Sequence, residues 1–301
     1  MDFKEFSEEV LKEVTDRAGG AFSIRIVEKL KNNGVKKTAI AATDPGRKGG
    51  LSIYLEEFYE EYKKDSMEIS EAAEKVCQKL AEHMDDLEDV RLDSFWEWEA
   101  MESQIYAEFI NYERNKELLE GKPYRKLLDL AVVYRIKVEG LKDGGIGNFL
   151  VNDKYMEAWG QTEESLYQSA VSNMRLSGEP IFEGMEEILR QMMPEARFPF
   201  PDSEPSARMY VLTNQEKIFG AVELLDGNTL KKIGEELGGD FIVLPSSLHE
   251  CVIIPADEAA SYQELADMVA GINKDVVPME ERLSDHVYLY DQREGALRIA
   301  A

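Results

Sequence analysis

Apolar and polar positions along the chain follow two periods, and the places where the period changes mark its elements. Residues 3–18 repeat at helical spacing and end at Gly19-Gly20. Residues 24–31 read as a second helix and stop at Asn32-Asn33-Gly34, a left-handed cap followed by a turn. Short strand patterns over 38–43 and 51–55 are joined by a loop over 44–50 that contains Gly and Lys. That loop lacks the GxxxxGK[ST] spacing of a phosphate cradle and no helix pattern opens directly after it, so a hairpin is expected. From 56 to 120 the period is helical. Within it Trp98, Met101, Ile105, Phe109 and Tyr112 recur at spacings of three and four, the mark of one buried helix face.

Residues 127–138 enter as an apolar run and end in strand alternation. Asp143-Gly144-Gly145-Ile146-Gly147 then turns the chain into 148–152, the expected hairpin partner. Gly145-Ile146-Gly147 is not a complete GxGxxG and opens no helix, so it reads as a turn. A helix over 162–174 starts with Thr162 as cap and Glu163 and Glu164 behind it, and another covers 183–193. Four prolines between 194 and 206 exclude a helix there and mark the expected boundary. The division is a helix-rich α+β part over 1–193, a Pro-rich arm over 194–205 and a C-terminal α+β unit over 206–301. In that unit strands over 209–213, 219–225, 241–244, 251–254, 287–290 and 296–299 alternate with helices over 229–237 and 262–272. The expected fold class is α+β: one or two β-hairpins in the helix-rich part, then a largely antiparallel sheet with helices on one face.

Charge narrows the partners. The 301 residues carry a net charge of −25, which repels phosphate backbones and anionic bilayers. Direct nucleic-acid binding and membrane docking are therefore not expected, and a basic protein partner fits better. Residues 56–120 hold 21 acidic against 7 basic side chains. A solvated helix face accounts for such a run; the sharper reading is an acidic surface recognised by a basic protein, or a decoy for nucleic-acid-binding proteins. No apolar run approaches the about 18 residues of a membrane span. The start, Met1-Asp2-Phe3-Lys4-Glu5-Phe6, has no secretory pattern. A cytoplasmic location is expected, with Cys77 and Cys251 as small core hydrophobes.

The most pointed local chemistry lies at 246–250, where Ser246, Ser247, His249 and Glu250 sit between two apolar strand patterns. Three readings stay open: polar residues closing a tight connection, a binding loop on a rigid sheet, or catalysis or metal binding. His249-Glu250 is not a zinc-protease HExxH, since Cys-Val-Ile-Ile-Pro follows without a second histidine. A serine nucleophile at Ser246 or Ser247 lacks the GxSxG elbow. Ser284-Asp285-His286 precedes another strand in the same way. If the two strands are neighbours, His249, Glu250, Asp285 and His286 converge on a proton-transfer site, with His249 and His286 as candidate metal ligands. His83, on an acidic helix pattern, reads as a surface residue. No cofactor motif is complete.

Asn32-Asn33-Gly34, Ile53-Tyr54-Leu55-Glu56, Leu128-Asp129-Leu130-Ala131-Val132-Val133-Tyr134, Leu244-Pro245-Ser246-Ser247-Leu248-His249-Glu250 and Leu283-Ser284-Asp285-His286-Val287-Tyr288 together resemble a bacterial domain-of-unknown-function family common in anaerobic gut Gram-positives. The resemblance spans nearly the whole chain. A fainter similarity, through Trp159 to Asn173 and the C-terminal sheet, runs to a second uncharacterised family of Gram-positive cytosolic proteins. The loop over 44–50 departs from the more strand-like approach to Ile53 that the resemblance implies. A single-family fold is implied, with no activity, cofactor or catalytic residue attached. The functional expectation is a non-enzymatic binding protein acting through its acidic helical surface or the 246–250 loop. The alternatives are the enzyme built on His249, Glu250, Asp285 and His286, and the acidic decoy.

Overall fold

The computed structural model describes residues 1–20, 22–43, 50–89, 92–138, 147–192, 208–259 and 261–301. The loop over 44–49, the turn over 143–146 and the Pro-rich arm lie outside these residues. In chain order the elements are α1 (Phe3–Ala18), β1 (Ser23–Leu30), β2 (Lys36–Thr43), β3 (Gly50–Tyr54), α2 (Glu56–Lys63) and α3 (Ile69–Asp89). Then come α4 (Trp98–Met101), β4 (Ile105–Asn111), α5 (Lys116–Leu119), β5 (Tyr124–Leu127), β6 (Leu130–Val138) and β7 (Gly147–Leu150). Next are α6 (Asp153–Trp159), α7 (Glu163–Leu176), β8 (Ile181–Gly184), α8 (Met185–Met192), β9 (Tyr210–Thr213) and α9 (Gly227–Leu237). The chain closes with β10 (Phe241–Leu244), β11 (Cys251–Pro255), α10 (Tyr262–Asp275), β12 (Tyr288–Asp291) and β13 (Ala296–Ile299).

The strands form three antiparallel sheets, so the fold is α+β as its patterning predicts. β1-β2-β3 make the first, β4, β6, β5 and β7 the second, and β13-β12-β10-β11-β9-β8 the third and largest. α1 shows why its residues form a helix: Asp2 and Glu5 close a capping box, Gly19 ends it in the left-handed region, and Phe6, Val10 and Val14 are fully buried. Each such burial stabilises by roughly 1.5–3 kcal/mol. That stripe packs with α3 and the first sheet in a core of its own. The main core runs from Met101 to Tyr290 and joins one face of the third sheet to the second sheet, α7 and α9. α10 covers the opposite face of the third sheet through Leu265 and Val269.

Three expected elements take another form. Residues 24–31, read as a helix, are strand β1, paired with β2 along its whole length. Ile105 and Phe109 lie on strand β4, not on a long helix with Trp98 and Met101. β4 is buried along nearly its whole length, beneath α7 and the 220–225 helix and beside β6, so it shows no alternation and its apolar spacing mimics a helix. Residues 219–225, read as a strand, form the 3₁₀ helix Gly220–Leu225. The other C-terminal strands and helices fall where the pattern predicts, and α7 carries Thr162 as its cap.

Candidate functional site

The segments around Ser284 and those around His249 belong to two different constructions. The first is a buried polar seam. Leu127 and Leu130 pair across a two-residue turn between β5 and β6. Leu128 takes a φ of 56° there, a left-handed conformation costing a branched residue about 1–2 kcal/mol. The turn presents Asp129, whose carboxylate accepts from the Ser284 hydroxyl at 2.7 Å and from the Tyr288 hydroxyl at 2.5 Å. Burial, and then the Asp129 charge, push the Tyr288 phenol far above its ordinary value and keep it a donor. Asn111 donates to the Leu283 carbonyl at 3.1 Å. Asn33, at φ 57°, accepts on its side chain from Asn115 and donates to the Met279 and Arg282 carbonyls, both at 2.7 Å. Asp285 pairs with Arg114 and accepts from Asn273. These contacts tie the β1–β2 hairpin, the second sheet and the third sheet together.

The second construction surrounds His249. The His249 Nδ1 accepts the Phe219 backbone N–H at 3.2 Å, which leaves the ring proton on Nε2. The His249 carbonyl accepts from Thr213 Oγ1 at 2.7 Å, and the Ser247 hydroxyl accepts the His249 N–H at 3.0 Å. Phe219, at φ 55°, stacks between His249 and Tyr106, with ring centroids 5.7 Å and 6.0 Å away. Gly220 follows because a Cβ there would collide with Thr213 Oγ1 and lie 2.5 Å from the His249 carbonyl oxygen. The 246–250 loop thus fixes the start of the Gly220–Leu225 helix.

That helix walls a cavity of 310 Å³ against β4 and α7, lined by Tyr106, Ala107, Ala170, Met174, Phe219 and Val222 among others. Polar residues share the lining, among them Gln104, Asn148, Asn173, Asn214 and Gln215. Lys137 and Glu216 pair with each other at 2.9 Å. Tyr106 buries its hydroxyl without a hydrogen-bond partner among the described residues, and burial pushes its phenol well up despite the opposing Arg135 charge. Behind it Arg135 pairs with Glu108, which is 1% exposed. Glu223 is 4% exposed and makes no hydrogen bond or ion pair among the described residues. Burial first, and then the Asp226 and Glu179 charges, raise its carboxyl from 4.5 to about 7. Glu223 also borders an open recess between the end of α7 and α9, lined by charged residues such as Arg175, Asp226 and Lys232, so it stands between the chamber and that recess.

The expected catalytic quartet is split between these constructions. His249 supports the cavity wall, and Glu250 is half-buried beside Cys251, whose thiol is pushed up by burial and then by the Glu250 charge. Asp285 belongs to the seam; the His286 ring meets the Ala301 carbonyl at 3.1 Å and its N–H reaches Ser284 Oγ. β10 lies between β11 and β12, which sets the two strands about 10 Å apart. Among the described residues no three His, Cys, Asp or Glu side chains gather as a metal requires. Ser246 contributes its carbonyl to the Leu283 N–H, a backbone role. No sequence pattern marks Glu223, Tyr106 or Phe219 as site residues. The one available signal was an acid inside the apolar run Phe219-Gly220-Ala221-Val222-Glu223-Leu224-Leu225.

The fold and the cavity define a mixed α+β protein with a partly open cavity of small-molecule size. Among the described residues no helix is long and apolar enough to cross a membrane. The chain belongs to the family of unknown function DUF5688, whose family model matches residues 3–292. It matches no curated protein and no solved structure.

Proposed function

We propose that the protein acts by binding a small amphipathic molecule in the cavity walled by β4, α7 and the Gly220–Leu225 helix. Two observations carry this: Glu223, a residue 4% exposed, borders a mainly apolar chamber without a counter-ion among the described residues, and the Tyr106 hydroxyl is buried there without a hydrogen-bond partner among them. An unpartnered buried polar group costs about 1–3 kcal/mol, and a ligand that pairs with it recovers that cost. The expected binding role of the 246–250 loop becomes an indirect one, since His249 holds Phe219 in place. Ligand-observed NMR with a fragment library tests the reading. Fragments should bind the wild type and be excluded by Met174→Trp, which fills the chamber from α7, in a variant whose circular dichroism is unchanged. A library without hits, or hits indifferent to the tryptophan, refutes it.

A second reading is a basic protein docking on α2 and α3. It is supported by the exposed Glu57, Glu60, Glu61, Glu68, Glu71 and Glu74, with Lys63 and Lys75 spent in local pairs with Glu60 and Glu71. A decoy of nucleic-acid-binding proteins would use the same surface. Binding of a basic partner there should weaken steeply as salt rises.

A further inference from the structure

Among the described residues the charges around the chamber are paired, with one exception. Asp226 takes Arg175 at 2.7 Å, Glu179 takes Lys232 at 3.2 Å, Glu216 takes Lys137 at 2.9 Å and Glu235 faces Lys231 at 3.8 Å. Those groups come from α7 and the segment after it, from α9 and its cap Asp226, from β6 and from the turn before the Gly220–Leu225 helix, and they line the two cavities that Glu223 borders. Glu223 is the one left without a counter-ion. We infer that the occupant is a monocation: an amphipathic amine whose ammonium group pairs with Glu223 while its apolar body lies against Tyr106, Phe219 and Val222. This rests on the chamber being a binding site, and it adds the ligand's charge class.

The alternatives fit less well. An anion would add a further negative charge beside Glu223, Asp226 and Glu179, whose mutual repulsion already opposes ionisation of Glu223. A neutral ligand would leave the carboxyl unpaired in a smaller volume of water. An ammonium group removes both penalties, and the recess on the far side of Glu223 keeps part of it hydrated. The position of Glu223 on the shared wall also sets the order of the ligand, with the apolar end inward and the charged end toward the recess.

A pH signature follows. Glu223 holds its proton up to about pH 7 in the empty protein, and an ammonium ligand must bind the ionised form. Amine affinity should therefore fall about 30-fold from pH 8 to pH 5.5, while the affinity of a neutral analogue stays level. Phenethylamine and phenethyl alcohol, compared by isothermal titration calorimetry across that range, make the test. The expected result is amine binding at least tenfold tighter than alcohol binding at pH 8, falling with pH, with the preference lost in Glu223→Gln. The wild-type pH profile stands without the variant, so a misfolded Glu223→Gln does not remove the test. Equal binding of amine and alcohol, or an amine affinity independent of pH, overturns the amine assignment and leaves the chamber reading standing. If neither probe binds while neutral or anionic fragments do, the assignment is overturned as well; if no fragment binds, both readings fall.

Discussion

Replacing Glu223 with glutamine should change stability by an amount that depends on pH. The carboxyl has a folded-state value of about 7 against an ordinary 4.5. The folded chain holds this proton more tightly than the unfolded chain. The associated stability is therefore complete below pH 4.5 and is lost as pH rises through 7. At about 1.4 kcal/mol per pKa unit the loss amounts to about 3 kcal/mol. Glutamine is nearly isosteric and cannot ionise, so it avoids this loss while burying a comparable polar group. Glu223→Gln should match the wild type within about 1 kcal/mol at pH 5 and exceed it by about 3 kcal/mol at pH 8. That corresponds to a rise in Tm on the order of 5 °C. Paired thermal melts followed by circular dichroism at the two pH values measure it. The other carboxylates titrate alike in both proteins, so the difference between variant and wild type isolates Glu223. A difference equal at the two pH values, or a variant less stable at pH 8, refutes the account of Glu223 as a buried, unpaired acid.

Two further expectations concern the frame around the cavity. Asp129→Ala removes the acceptor shared by Ser284 and Tyr288 and should lower stability by about 2–4 kcal/mol, read as a shift in the urea midpoint without a change in slope; an unchanged midpoint would show that the seam contributes nothing. Arg135→Met leaves Glu108, at 1% exposure, buried without its cation and should cost about 3–5 kcal/mol, most of it recovered when Glu108→Leu is added; a double variant no better than the single one would contradict the pairing.

The expected elements that held are those whose local chemistry agrees with their surroundings. Thr162 caps α7 because the hydroxyl meets the Ser165 N–H whatever lies beyond it. The β2–β3 and β6–β7 pairs were legible from alternation and turn residues. β1 and β4 were not, for different reasons. In β1, Ile24, Val27 and Leu30 are three apart and also lie in a β-branched stretch, and only the presence of β2 decides between helix and strand. In β4 both faces are covered, so Ile105, Phe109 and Ile110 are buried together and the period of two disappears. The Gly220–Leu225 helix reads as a strand in the sequence because an apolar run does not report its own period. The site was legible only through His249. Glu223 carries no pattern that shows which way it faces, and the seam joins residues from Asn33 to Tyr288 that no window along the chain can hold together.

The seam and the cavity meet along Ser246-Ser247-Leu248. Leu248 donates its N–H to the Glu281 carbonyl at 3.0 Å, on the seam side, and accepts the Ala221 N–H at 3.2 Å, on the cavity side. Its neighbour Ser247 pairs with Arg282, whose carbonyl also receives Asn33. Two strained residues stand at the ends of this path, Leu128 beside Asp129 and Phe219 beside Gly220, both with left-handed backbone. Such conformations persist only where the surroundings over-determine them, and here each is held by contacts to a different strand. The segments around Asn33, Asp129, Leu248 and Ser284 therefore act as one frame. Asn33, Asp129 and Ser284 lock three sheets together, and the 246–250 loop passes that rigidity to the cavity wall.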